Sequence, residues 1–351
     1  MPYGLSLLQY LKKTPNSNTR NQILPNQDVR YLEMKLRAGQ TEDLFRIIDA
    51  SDEVQTYIDK EGRFVGLGRT NQASIVKGWT FYFLKTILTQ DDLRDAIQFA
   101  DADGANRVEL VLPAGQVTCN APIIQTADGF PLTVIRGGYN ATSIYYNPSA
   151  PSSVPVIEQN AAGVELIDLG FQLPNAGLNL SNSPVVDIGN NGKVDNCYFV
   201  NGAPFASSVS CIKLSGPGAS VKDTYINNRY HGIEVAISGG DDFSIMNCKI
   251  VGITSSGSRG ISYSGSVGLI IGNRIENFDY AIYGSSNPTL VGLAVNSNYL
   301  DGNTSDIFWP TLTPANGNNT FVGNILVNGT TNGITTGACI TRGNIGLADQ
   351  N

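Results

Sequence analysis

The sequence predicts an all-β chain wound as a right-handed parallel β-helix, a solenoid, with an N-terminal capping helix and a small mixed docking region ahead of it. Three observations carry this: a degenerate repeat of about 25 residues, within the range of solenoids, a turn-forming residue at one fixed place in each repeat, and a chain poor in charge. Charged residues make up 15% of the 351, against roughly 25% in an average soluble domain. A coiled coil, a disordered chain or a helix-rich globule would carry more.

Taken in order, residues 1–45 read as mixed. Leu5, Leu8 and Leu11 fit one helical face, and Val29–Leu36 reads equally as helix or strand. Residues 46–66 look like paired short strands with turns at 50–53 and 60–62. Thr89 then serves as N-cap of a helix over 89–102, with Asp91 and Asp92 favourable in its first turn. Its one apolar stripe is Leu93, Ala96, Ile97 and Ala100. The strand Val108–Leu112 follows directly. Charge density also shifts, from 31 charged side chains in residues 1–139 to 22 in residues 140–351. The expected organisation is therefore an N-terminal docking region, 1–88, and a β-helix, 89–351.

The repeat is aligned on Phe171, Phe199, Ile226, Ile250, Ile275, Leu300 and Leu326. Five residues before each anchor stands another large apolar residue: Leu166, Val194, Val221, Ile245, Ile270, Val295 and Phe321. A spacing of five keeps both inside only if one bent residue resets the alternation of a strand. The bend is placed three residues before the anchor, at Asp168, Asn196, Asp223, Asn247, Gly272, Ser297, Gly323 and, one turn further, Gly343. Asn, Asp and Gly tolerate that conformation best. The next position, Cys197, Thr224, Cys248, Asn273, Asn298, Asn324 and Asn344, becomes an internal ladder hydrogen-bonded along the axis. A second apolar series, Ile212, Ile233, Ile261, Ile282 and Ile307, falls between the anchors, so each turn has at least two strands and a corner. Cys197 and Cys248 come out two turns apart, ~9.6 Å at the strand spacing, too far for a disulfide.

Charge and motifs narrow the function. The net charge is −7 and no Lys/Arg cluster exceeds Lys12-Lys13, which argues against a nucleic-acid partner. No apolar run approaches the ~18 residues of a membrane span, so membrane insertion is not expected. Nor is a signal peptide, since the Leu5–Leu11 run is short and precedes its lysines. The five Cys lack metal-ligand spacing, so no metal or other cofactor is expected.

The helix leading into Val108-Glu-Leu-Val-Leu-Pro-Ala-Gly115, the Asn/Gly-punctuated repeat through residue 346 and the short strands of 47–66 together resemble the bacteriophage tailspikes and tail receptor-binding proteins of the pectate-lyase-like β-helix superfamily. The resemblance covers about 260 residues. It implies a homotrimer on the virion tail, made in the host cytoplasm. Its N-terminal region would dock on other tail or head proteins, and its β-helix would attach the particle to a host surface polysaccharide. Some members of the family cleave that glycan and others only bind it.

The residues offer candidates for both. Glycoside hydrolysis uses two carboxyls ~5 to ~9.5 Å apart, and Glu234, Asp241 and Asp242 are the candidate catalytic acids. Adjacent turns bring outward side chains ~4.8 Å apart, so Glu234 is expected to find an acid one turn away. The one histidine, His231, lies at the corner entering that strand. No Gly-x-Ser-x-Gly elbow accompanies it. For glycan binding the candidates are Tyr230, Tyr263, Tyr283 and Trp309, aromatic faces that suit sugar rings. The same rings also suit a trimer interface.

Overall fold

The computed structural model describes residues 45–48, 54–58, 64–66, 79–83, 89–91, 93–94, 107–124, 133–138, 141–147, 155–159, 164–173, 184–201, 210–237, 242–264, 267–284, 292–309, 319–327, 330–332 and 339–346. The chain divides after Val65 into two compact units, each taken by itself. In the first, Phe45–Ile48 pairs antiparallel with Val54–Ile58, as expected for short paired strands. The expectations for residues 1–44 lie outside the described residues, and so does most of the helix expected over 89–102. Of that helix, Gln90, Asp91, Leu93 and Arg94 are helical, and the Leu93 N–H donates to the Thr89 carbonyl at 3.2 Å.

The second unit is a parallel β-solenoid of three sheets. A first sheet runs in parallel from Trp79–Phe83 and Arg107–Val111 to Cys339–Arg342. Among the described residues the second has nine strands, from Gly115–Cys119 to Ile325–Val327, and the third has eight, from Ile157–Gln159 to Thr330–Asn332. Each strand pairs with its counterparts one turn away rather than with its neighbours in sequence. Trp79–Phe83 pairs in parallel with Arg107–Val111.

The sequence alignment is also the structural register. Phe171, Phe199, Ile226, Ile250, Ile275, Leu300 and Leu326 lie opposite one another in the second sheet. Leu166 through Phe321 do so in the first, and Ile212 through Ile307 in the third. All these side chains are buried. They form the core, within which Phe171 and Phe199 stack at 4.7 Å.

The corner between the first and second sheets explains the spacing of five. Asp168, Asn196, Asp223, Asn247, Gly272, Ser297, Gly323 and Gly343 all have φ between 48° and 68°. One left-handed residue per turn redirects the chain and restores the inward phase. The ladder stands next to it. Asn298 Oδ1 accepts from Asn273 N–H at 2.9 Å and from Asn273 Nδ2 at 3.0 Å, while Asn298 Nδ2 donates to Asn324 Oδ1 and to the Ile270 carbonyl. Asn324 and Asn344 repeat the pattern. In the earlier turns the Cys248 N–H donates to Asn273 Oδ1 at 2.9 Å, and Thr224 takes the same place against Cys197. Cys119, Cys197, Cys211 and Cys248 are buried and not joined in disulfides. Burial pushes the Cys197 and Cys248 thiols up to about 12, so they stay protonated.

Strands of the third sheet depart from strict alternation, and this sets the outer surface. In His231–Val235, Arg259–Tyr263 and Tyr280–Gly284 the first and fourth residues are half-buried, and the other three are buried. The second place holds Gly232, Gly260 and Ala281. A Cβ on Gly232 would lie 2.4 Å from the Gly260 carbonyl oxygen, and one on Gly260 would lie 2.6 Å from that of Ala281. Such close approach of successive turns admits only the smallest residues, and it leaves two outward columns on this sheet instead of an even alternation.

Candidate functional site

The two outward columns of the third sheet hold the densest group of candidate residues. One runs Ser210, His231, Arg259, Tyr280 and Ser305. The other runs Asp187, Lys213, Glu234, Ser262, Tyr283 and Phe308. Toward the C-terminal turns they merge into an aromatic surface. Tyr283 and Phe308 are stacked with centroids 5.5 Å apart and planes 10° apart. Tyr280 packs against both, at 5.2 and 4.9 Å. The Arg259 guanidinium lies over the Tyr283 ring, 3.7 Å from its centroid, a cation–π contact. Tyr280, Tyr283 and Phe308 are all half-buried, held from one side and open on the other.

Toward the N-terminal turns the same columns become polar. Glu234 accepts a hydrogen bond from Ser210 Oγ at 2.8 Å. Its register neighbours one turn away are Lys213 and Ser262, so the acid expected beside Glu234 is absent from that position. The nearest acid in its column is Asp187, two turns back, which is buried, pairs with Lys213 Nζ at 3.3 Å and accepts from Ser215 Oγ. The sequence reading passed over Asp187 because nothing in its own neighbourhood marks it. Its place in the column becomes visible only through the inter-turn register.

The other expected residues fall elsewhere. Asp242 is exposed at the start of Asp242–Met246 on the first sheet, beside an open depression of about 380 Å³ that Ser244, Val267 and Leu269 also line. It stands on a different sheet from Glu234 and shares no hydrogen bond with it. Asp241 lies outside the described residues. Tyr230 is half-buried at the head of the third-sheet strand. Its hydroxyl donates to the Ser256 carbonyl and its ring meets His231 edge-on at 4.5 Å.

Tyr263 and Trp309 require a correction. Both are 1% exposed and belong to the core, not to a sugar-binding surface. Tyr263 takes the fifth, inward place of Arg259–Tyr263 and Trp309 follows directly after Ser305–Phe308; Tyr263 packs on Phe243 and Trp309, and Trp309 on Phe321. Trp309 fills the room left by Gly284, whose Cβ would lie 2.1 Å from the indole nitrogen.

His231 is neutral at ordinary pH. Burial, together with the adjacent Arg259 charge, pushes its pKa down to about 4. Among the described residues no three His, Cys, Asp or Glu stand close enough to hold a metal ion, and no helix is long and apolar enough to cross a membrane.

No family model and no curated protein matches the chain. Among solved structures it is similar to the ORF18 protein of Geobacillus virus E2, at 10% identity and a TM-score of 0.46 over 85% of this chain and 68% of that one. It is similar to the A-module of the Azotobacter vinelandii mannuronan C-5 epimerase AlgE6, at 13% identity and a TM-score of 0.30 over 75% of this chain and 97% of that module. It also aligns with tailspike protein 3 of bacteriophage CBA120, at 10% identity and a TM-score of 0.17 over 76% of this chain and 62% of that one. The solenoid architecture described above rests on the strand pairing of this chain itself.

Proposed function

We propose that the chain is a tailspike-type receptor-binding protein that attaches a phage particle to its host by binding a surface polysaccharide on the outer face of the third sheet. The observation that carries this reading is the surface of Tyr283, Phe308 and Tyr280 with Arg259 laid against it. Flat aromatic faces take up the apolar face of a sugar ring, and their polar tips and neighbours take up hydroxyls. A sheet whose strands are fixed on both sides by adjacent turns holds such a surface rigid, so little ordering cost falls on binding. The resemblance read from the sequence agrees with this function. It also supplies the homotrimeric state, the virion-tail location and an N-terminal docking role for residues 1–88 as parts of the same proposal.

A second reading is a polysaccharide hydrolase on the same face. Glu234 and Asp187 share one outward column two turns apart, which is ~9.6 Å at the strand spacing and near the upper end of the separation used by inverting glycosidases. Asp187 is already engaged by Lys213 and Ser215, which makes binding the stronger reading.

Binding of the full chain to an immobilised panel of bacterial capsular and O-antigen polysaccharides tests the proposal, with reducing-end assay of the supernatant. Retention without released oligosaccharide is the expected result. Released product that disappears in Glu234→Gln selects the hydrolase, and no retention on any member overturns both. Light scattering on the same sample is expected to give three times 37.5 kDa, and a monomer contradicts the trimer.

A further inference from the structure

Arg259 is half-buried and makes no ion pair among the described residues, while its Nε is buried without a hydrogen-bond partner. An unmatched polar group so placed costs free energy. Elsewhere on the sheets cations stand beside acids: Arg136 pairs with Glu109 and Asp168, Lys193 with Glu165, Lys213 with Asp187, and Arg274 with Glu276. The nearest acid in the facing column, Glu234, takes its hydrogen bond from Ser210 instead. One turn before Arg259 in the same column, His231 Nδ1 is also buried without a partner. Two adjacent turns beside the aromatic surface therefore hold buried nitrogen atoms without a partner, in a chain of net charge −7.

We infer that Arg259 receives an anionic group of the bound glycan, and that the glycan is an acidic polysaccharide whose sugar carboxylates enter beside Tyr283. The inference rests on the binding function proposed above and names its ligand class. The guanidinium carbon lies 3.7 Å from the centroid of the Tyr283 ring, a contact that helps hold the group beside the aromatic surface. Guanidinium N–H groups match a carboxylate in a two-point contact, and Arg259 makes no ion pair among the described residues. His231, neutral and adjacent, places no second charge beside the guanidinium. Asp187, Lys213 and Glu234 continue the column with groups already matched within the chain, so the unmatched charge is localised at Arg259.

The test uses the full chain on the same polysaccharide panel, divided into members bearing uronic acids, members bearing phosphate and neutral members. Each bound polysaccharide is compared with its carboxyl-reduced form. The inference predicts that bound members carry uronic acids and that carboxyl reduction lowers affinity at least tenfold. Arg259→Met should lose the same factor and become indifferent to the reduction, and Arg259→Lys should recover part of it. Thermal melts of both variants verify that they remain folded. Binding of a neutral member with equal affinity for wild type and Arg259→Met overturns the inference and leaves the binding function standing. Binding that follows phosphate and ignores carboxyl reduction overturns the carboxylate assignment. Absence of binding to every member overturns the function and the inference together.

Discussion

The outer faces of the second and third sheets are built from the same kinds of residue and differ in how those residues are matched. On the second sheet an outward column runs Tyr198, Tyr225, Lys249, Arg274 and Tyr299. Lys249 lies over Tyr225 at 5.6 Å and Arg274 over Tyr299 at 5.2 Å. There Arg274 is tied to Glu276 in the next column, the Tyr299 hydroxyl reaches Asp301 at 3.3 Å, and Lys249 stands exposed in water. On the third sheet the cation lies closer to its ring, is less exposed and makes no ion pair among the described residues. An aromatic-cationic column is thus no site by itself. What distinguishes the third face is that its cation is half-buried against an aromatic surface and makes no ion pair among the described residues.

The comparison can be broken most forcefully from inside. Both faces hang on the corner ladder, so Asn298→Ala should weaken both together. It removes the acceptor for two donors of Asn273 and the donor to the Ile270 carbonyl and Asn324. Leaving such groups buried and unmet is expected to cost about 3 kcal/mol, read as a fall in midpoint on chemical denaturation. A midpoint unchanged from wild type would show that the ladder is not what holds the turns.

A sharper cut separates the faces. Tyr283→Ala is expected to lower glycan affinity about tenfold, near 1.4 kcal/mol. Tyr299→Ala, of like size on the matched face, should leave affinity unchanged. Titration of one polysaccharide against both variants makes the comparison, and an equal loss in the two would erase the distinction between the faces.

The interior of this solenoid was legible in the sequence and its exterior was not, for one physical reason. Inward positions face their own equivalents one turn away, so packing selects the same residue type again and again. Phe171 to Leu326 and the bends from Asp168 to Gly343 can be aligned by eye, and they prove to be the register and the left-handed corners. Outward positions answer to solvent or ligand and carry no such period. Tyr263 and Trp309 looked like surface rings because residue type was the only guide. Which way they point is decided by the Gly232–Gly260–Ala281 contact, which shifts the alternation of the third sheet. Asp187 and Lys213 as the companions of Glu234 likewise follow from pairing across turns more than 20 residues apart.

A smaller effect concerns pH. His231 binds its proton with a pKa of about 4 in the folded chain against 6.5 when unperturbed. Between those values the unfolded chain is the more protonated, so this group makes stability fall as pH drops from 6.5 toward 4 and leaves it level above 6.5. His231→Gln should flatten that part of a melting-temperature profile. A profile as steep as wild type would place the titrating group elsewhere.

The most direct measurement is hydrogen–deuterium exchange of the full chain with and without a saturating polysaccharide ligand. If the third face is the binding site, protection on binding will be confined to 231–235, 259–263, 280–284 and 305–308, and the second-sheet strands at 225–229, 249–252 and 299–301 will exchange as before. Protection of the second-sheet strands with the third sheet unchanged would contradict the account.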